Sequence, residues 1–490
     1  MRSSLRFSFS AASAFGALIT SGLSVQPVYA QSIEDTMASA YTQSTQLGAQ
    51  RAQQRATDEQ VPQALSNWRP TVTGTANIDR AQTQYNPGLP VSSLTGKQVP
   101  GTFGYNTSKT VGVQVVQNLY RGGRTEAQTN EATNAVKAGQ ALLKATEQSV
   151  LLAATQSYLD VVRDQSTVEL NANNEAVLKR QLDAETDRFR VGEVTRTDVA
   201  QAQSSYQQAI ALHTTAIGTL ATDRAAFQRV VGQAPGKLVQ PVFKYQLPGS
   251  LEDAIAESEA NNPSVIAAEY NERAARDAVD LAQGARLPTV QVIGTYSRLY
   301  PGPNSSSQDI GSSVSGGLGG AGNVGAGVDH IDSGSVEAQM TWPLYTGGQA
   351  SSQVREAKQT ANQNLIAIED AKRVARQTAI SAWQQLTASR ANIDALTAQV
   401  AAAQIAAEGT RQQALVGTAT VLDSLTSEQN LLQAEVNLVG AQHDAVLNSF
   451  ALLAAVGRLN ARDLGLAVTI YDPQVNQDRV GDKWFGTGID

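Results

Sequence analysis

Cysteine is absent from the 490-residue chain, and histidine occurs only three times, at His213, His330 and His443. No disulfide framework, thiolate metal site, cysteine nucleophile or lipid-bearing cysteine is therefore available. Aromatics make up 5% of residues and charged residues 17%. So few aromatics cannot furnish several compact cores, whereas abundant Ala and Gln suit long helices with narrow contact stripes. No later apolar run approaches the ~20 residues of a membrane helix. With a mean hydropathy of -0.24, a bundle of membrane helices is excluded. Hydrophobic residues still reach 41%, which excludes wholesale disorder. The formal net charge of -7 offers no basic patch for nucleic acid.

Arg2 and Arg6 precede an uncharged, moderately apolar stretch over 7–19, and Val28-Tyr29-Ala30 ends in a small residue. This predicts a signal peptide over 1–30, cleaved after Ala30. If the exported chain spans a membrane, it does so with strands.

What the sequence does contain is itself, twice. Ile33-Glu34-Asp35 recurs as Leu251-Glu252-Asp253, and Pro70-Thr71-Val72 as Pro288-Thr289-Val290, both at an offset of 218. Leu119-Tyr120 with Gly122-Gly123 recurs as Leu344-Tyr345 with Gly347-Gly348, at an offset of 225. Val191-Gly192 with Asp198 recurs as Val416-Gly417 with Asp423, and Val231-Gly232 as Val456-Gly457, still at 225. One insertion between the strand regions accounts for the change, so the chain is a tandem duplication. The predicted organisation is a first repeat over 31–232, a linker over 233–250, a second repeat over 251–457 and a tail over 458–490.

Each repeat reads helix, strand, loop, strand, long helical hairpin. Proline is missing from Gly101 to Ala234 and from Leu344 to Asp472. The predicted hairpins over 124–231 and 349–456 have arms on the order of 100 Å, at ~1.5 Å per residue. Their turns fall at Val191-Gly192 and Val416-Gly417. Strands are predicted at about 69–80, 109–120, 287–298 and 335–345 from period-two alternation, as in Val111, Val113 and Val115 against Thr110, Gly112 and Gln114. At roughly ten residues each they fit a tilted bilayer crossing. Trp68, Tyr120, Trp342 and Tyr345 fall at the ends nearest the helices, where an interfacial belt sits. Four strands cannot close a barrel, and open edges in lipid cost several kcal/mol per unpaired group. Three chains of four strands each give a 12-stranded barrel, continued by a tube of helices, within the range of known barrels.

These residues resemble the TolC family of trimeric outer-membrane export channels. The resemblance rests on the duplicated plan, on Leu251-Glu252-Asp253 with Asn262-Pro263-Ser264, and on Leu287-Pro288-Thr289. It rests also on Leu344-Tyr345-Thr346-Gly347-Gly348, on Val416-Gly417-Thr418 with Asp423, and on the tail motifs Tyr471-Asp472-Pro473 and Lys483-Trp484-Phe485-Gly486. It implies a mainly α fold with a transmembrane β portion, assembled as a homotrimer: a β-barrel in outer-membrane lipid above a periplasmic α-helical barrel. It implies a passive conduit for secreted proteins or small toxic compounds. The implied partners are a periplasmic adaptor and an inner-membrane ABC or proton-driven transporter. Without a lipid-bearing cysteine the chain looks more like the type I secretion branch. Two departures stand out. Ser44-Thr45 replaces Asn262-Pro263 in the first repeat, and Ala419 occupies the position of a basic residue that links the closed tip in the family. Arg196 is the candidate substitute.

Asp198 and Asp423, six residues after the tip glycines, are expected to form a carboxylate ring at the narrow end, favouring cations. The alternative is a helix-start acid. Arg190, Val191 and Gly192, with Leu415, Val416, Gly417 and Thr418, are the expected adaptor contacts; the alternative is that the glycines merely allow the turn. His213 and His443 are expected on helix surfaces. His330 lies beside Asp329 and Asp332 in the loop, and no metal site is expected there beyond an adventitious ion. Gly320 to Gly325 matches G-x-G-x-x-G without the flanking strand and helix that a nucleotide site needs. No spacing supports a catalytic cluster or a cofactor. The competing non-enzymatic reading, a coiled-coil or adhesin-like stalk, has no need of alternating strands with aromatic ends.

Overall fold

The computed structural model describes residues 31–85, 102–301 and 329–489. The predicted signal peptide and the Gly320 to Gly325 motif lie outside the described residues. The first repeat opens with α1 (Ile33–Gln43), α2 (Thr45–Asp58) and α3 (Gln60–Leu65), and then forms β1 (Thr71–Tyr85) and β2 (Thr102–Tyr120). Its hairpin is α4 (Arg124–Arg190) and α5 (Arg196–Val231). The second repeat follows with α6 (Leu251–Asn261), α7 (Pro263–Gly284), β3 (Thr289–Tyr300), β4 (Ile331–Thr341), α8 (Gln349–Leu415) and α9 (Val421–Ala455). A short α10 (Pro473–Gly481) lies in the tail.

The duplication holds at the level of caps. Ser44 closes α1 and caps α2 at φ -61° and ψ 120°. Asn262 closes α6 and caps α7 at φ -64° and ψ 123°. Different side chains thus make one break: the Ser44 hydroxyl accepts from Leu47 N–H, the Asn262 carbonyl from Ser264 N–H. Pro263 adds nothing the first repeat lacks, because proline fits the first helical position without losing a bond.

α4 and α8 are each 67 residues long, on the order of 100 Å. Their partners touch through small residues. Ala202, Ala209 and Ala216 of α5 are buried at seven-residue spacing, a seam of knobs that brings backbones close.

The main core is the waist. Met37 and Tyr41 of α1, Leu151, Tyr158 and Leu159 of α4, Phe227 of α5 and Phe450 of α9 are buried together there. Segment 233–250 packs onto it: Phe243, Tyr245 and Phe450 stack edge-on at 5.2–5.7 Å. Tyr158 donates to Val239 O at 2.7 Å. Leu459, Leu464 and Leu466 bring the tail into the same core.

The four strands form one antiparallel sheet in the order β1-β2-β3-β4. Their limits differ from the predicted ones. β1 and β2 extend outward to Tyr85 and Thr102, because Tyr85↔Thr102 and the pairs inside it continue the ladder although their side chains do not alternate in polarity. β4 runs from Ile331 to Thr341, so Trp342 and Tyr345 follow the strand rather than lie within it.

Candidate functional site

The register carries each strand's alternation across the whole sheet. On one face Val72, Val115, Gly294 and Val336 lie in a row. One residue along, on the other face, the row is Thr73, Gln114, Thr295 and Ser335. The polar row bonds within itself: Thr295 and Ser335 hydroxyls are 2.6 Å apart, and Gln291 donates to Gln339 at 2.8 Å. Val72, Ile78, Val111, Val336 and Met340 are exposed, so no described element covers the apolar face. A sheet with one bare apolar face and one polar face suits lipid on one side and water on the other. No described helix is long and apolar enough to cross a membrane.

Trp68, Tyr120, Trp342 and Tyr345 are all exposed around the helix end of the sheet. The Trp68 carbonyl accepts from Gln117 Nε2 at 3.0 Å, and Trp342 Nε1 donates to Arg286 O at 3.3 Å. These bonds fix the strand-to-helix junction.

The tips repeat one another closely. After α4, Gly192 N–H reaches Phe189 O at 3.0 Å and Glu193 N–H reaches Arg188 O at 2.9 Å. After α8, Gly417 N–H reaches Ala414 O at 3.3 Å and Thr418 N–H reaches Gln413 O at 2.9 Å. Both are paired helix-closing bonds around a left-handed residue, at φ +80° and +78°. Val191 and Leu415 are exposed beside them, as is Val416 at 74%. Arg190 pairs with Asp187 at 2.8 Å and stays in solvent.

Asp198 and Asp423 are the third residues of α5 and α9, and each completes a capping box. Asp198 Oδ2 accepts from Thr195 N and Oγ1 at 2.8 and 2.7 Å; Asp423 Oδ2 accepts from Thr420 N and Oγ1 at 3.0 and 2.6 Å. The threonine bonds hold both carboxyls below the ordinary carboxylate pKa. Each Oδ1 has no hydrogen-bond partner among the described residues. Arg196 opens α5 in an exposed position.

Two histidines depart from the expected surface placement. His443 is buried between α9 and α4, with Nε2 3.0 Å from Asp160 Oδ1 and Nδ1 2.9 Å from Asp444 Oδ1. His213 is half-buried and meets Glu175 Oε2 at 2.7 Å. His330 Nε2 lies 3.7 Å from Asp332 Oδ2. No described cluster of His, Asp or Glu could hold a metal ion. Pairing between helices of different repeats leaves no spacing signal in sequence, so the His443 contact was invisible there. The capping boxes were legible as Thr-x-x-Asp.

A lipid-facing sheet continued by helices of this length defines the wall of an outer-membrane channel. The family description "Outer membrane efflux protein" matches residues 37–233 and 254–458, and the chain belongs to that family. It is 34% identical over 472 residues to outer membrane efflux protein BepC of Brucella suis, covering 96% of this chain and 95% of that one. It is 26% identical over 385 residues to outer membrane protein TolC of Vibrio cholerae, covering 75% and 83%. The Campylobacter jejuni CmeC outer membrane channel superposes with a TM-score of 0.72 at 16% identity, over 92% of this chain and 89% of that one. The protein is therefore an outer-membrane efflux or secretion channel of the TolC type, and its family is one of transport channels rather than enzymes.

Proposed function

We propose that three copies pool their strands into one 12-stranded barrel, β4 of each pairing with β1 of the next, within the usual range of barrel sizes. The observation that carries this is the pair of sheet edges, β1 and β4, that no other described strand pairs with, on a sheet whose apolar face no described element covers. In lipid each unpaired edge group costs several kcal/mol, and edge-to-edge pairing removes that cost. The polar rows then line a water-filled lumen, and the helices continue it as a periplasmic tube.

The channel conducts passively. Its cargo is secreted proteins, small toxic compounds or both, delivered by an inner-membrane ABC or proton-driven transporter through a periplasmic adaptor. The tips, with apolar Val191, Leu415 and Val416 exposed around rigid turns, are the adaptor's docking surface. Asp198 and Asp423 supply six carboxylates per trimer at the narrow end. Arg196, beside Asp198, replaces the family's basic tip link that Ala419 lacks. The carboxyls are ionised at neutral pH, so the tip selects cations.

Planar-bilayer recording tests this reading. Single channels are expected to prefer cations, and the double variant Asp198→Asn with Asp423→Asn is expected to lose most of that preference while still conducting. Unchanged selectivity in the variant contradicts the ring; absence of any conductance by the parent contradicts the channel.

A further inference from the structure

We propose that the C-terminal Lys483-Trp484-Phe485 segment is a membrane-interface anchor seated in the phospholipid of the outer membrane's periplasmic leaflet. The inference rests on the outer-membrane location and not on the number of copies. α10 holds the segment in place: Asn476 and Val480 are buried, and Asn476 Nδ2 donates to Asp58 Oδ2 at 2.7 Å. Asp58 is itself buried in α2 and accepts from Gln54 at 2.8 Å. Lys483 N–H then bonds Val480 O at 3.1 Å, turning the chain as the helix ends.

The turn delivers Trp484 to the base of the sheet. Arg69, two residues before β1, donates to Lys483 O at 2.8 Å, and its guanidinium sits 4.6 Å from the centre of the Trp484 ring. Trp68 immediately precedes Arg69 and is also exposed. Trp484 is 59% exposed and Phe485 87% exposed, on a rigidly held segment. Two bare aromatics fixed at the level where a strand enters lipid occupy the zone that suits rings with one apolar and one wet side. Arg69 and Lys483 place cations at the same level, matching anionic headgroups. The chain has no cysteine to carry an acyl anchor, so these side chains supplement the hold of the strands without one.

The test uses the full chain with Trp68→Phe, Trp342→Phe and Trp383→Phe, leaving Trp484 as the sole tryptophan of four. It is reconstituted in phosphatidylethanolamine–phosphatidylglycerol vesicles carrying lipids brominated at shallow or deep acyl positions. Shallow bromines are expected to quench the emission about twofold, and more than deep ones, as for an interfacial ring. If the triple variant does not fold, Trp484→Phe in the otherwise native chain yields the same signal by difference. Emission insensitive to bromine overturns the proposal, whether iodide quenches it (a tail in water) or not (a tail covered by another copy).

Discussion

Gly417 and Gly457 share one backbone conformation, φ +78° and +82°, in opposite surroundings. A Cβ at Gly417 would meet nothing within 4 Å, whereas one at Gly457 would run into the Asn261 carbonyl oxygen. Gly417→Ala is therefore expected to cost about 1 kcal/mol, the left-handed penalty alone. Gly457→Ala adds a clash with backbone that cannot swing away and is expected to cost about 3 kcal/mol or more. Thermal unfolding in detergent orders the two; equal midpoints contradict the packing around Gly457. Both glycines were legible in sequence as the repeated Val-Gly pairs. Their different loads were not, because the Asn261 carbonyl arrives from another element.

At the scale of elements, the two repeats meet in a charged seam. Arg163 of α4 bonds Asp160 at 2.9 Å, Asp164 at 2.8 Å and Asp223 of α5 at 3.2 Å. His443 of α9 closes the group against Asp160, with Asp444 on its other nitrogen. Burial, and then the neighbouring Asp223, push the buried Asp164 carboxyl up to about 6. Burial alone would lower the His443 pKa, but the Asp160 and Asp444 bonds outweigh it and raise it. In both groups the folded state holds its proton more tightly than the unfolded chain, so stability falls as pH rises. For Asp164 the loss runs from the ordinary value of 3.8 to about 6; for His443 it begins near 6.5 and continues upward. Asp164→Asn removes the first part, and relative to the parent it is expected to gain about 2 kcal/mol between pH 4 and pH 8. Denaturant unfolding at the two pH values checks this, and a pH-independent difference contradicts it. The helices themselves were legible from missing proline and the Val-Gly turns, and the strands from alternation. The seam was not, since it joins side chains of separate repeats, and neither were the outer ends of β1 and β2, where backbone pairing outlasts the alternation.

For the whole molecule, the duplication read in sequence reappears as two structural copies that share one waist and one sheet. The long arms, on the order of 100 Å, reach from the base of that sheet to the tips, so a single chain carries both the membrane wall and the tunnel wall. Yet among the described residues no strand pairs with the outer edges of β1 and β4. In the proposed assembly, closure comes from other copies. The native mass of the detergent-solubilised protein, read by native mass spectrometry or sedimentation with detergent matched out, tests it most directly. Three chains per particle is the expected result; a monodisperse single chain that keeps its helices and its sheet would contradict the account.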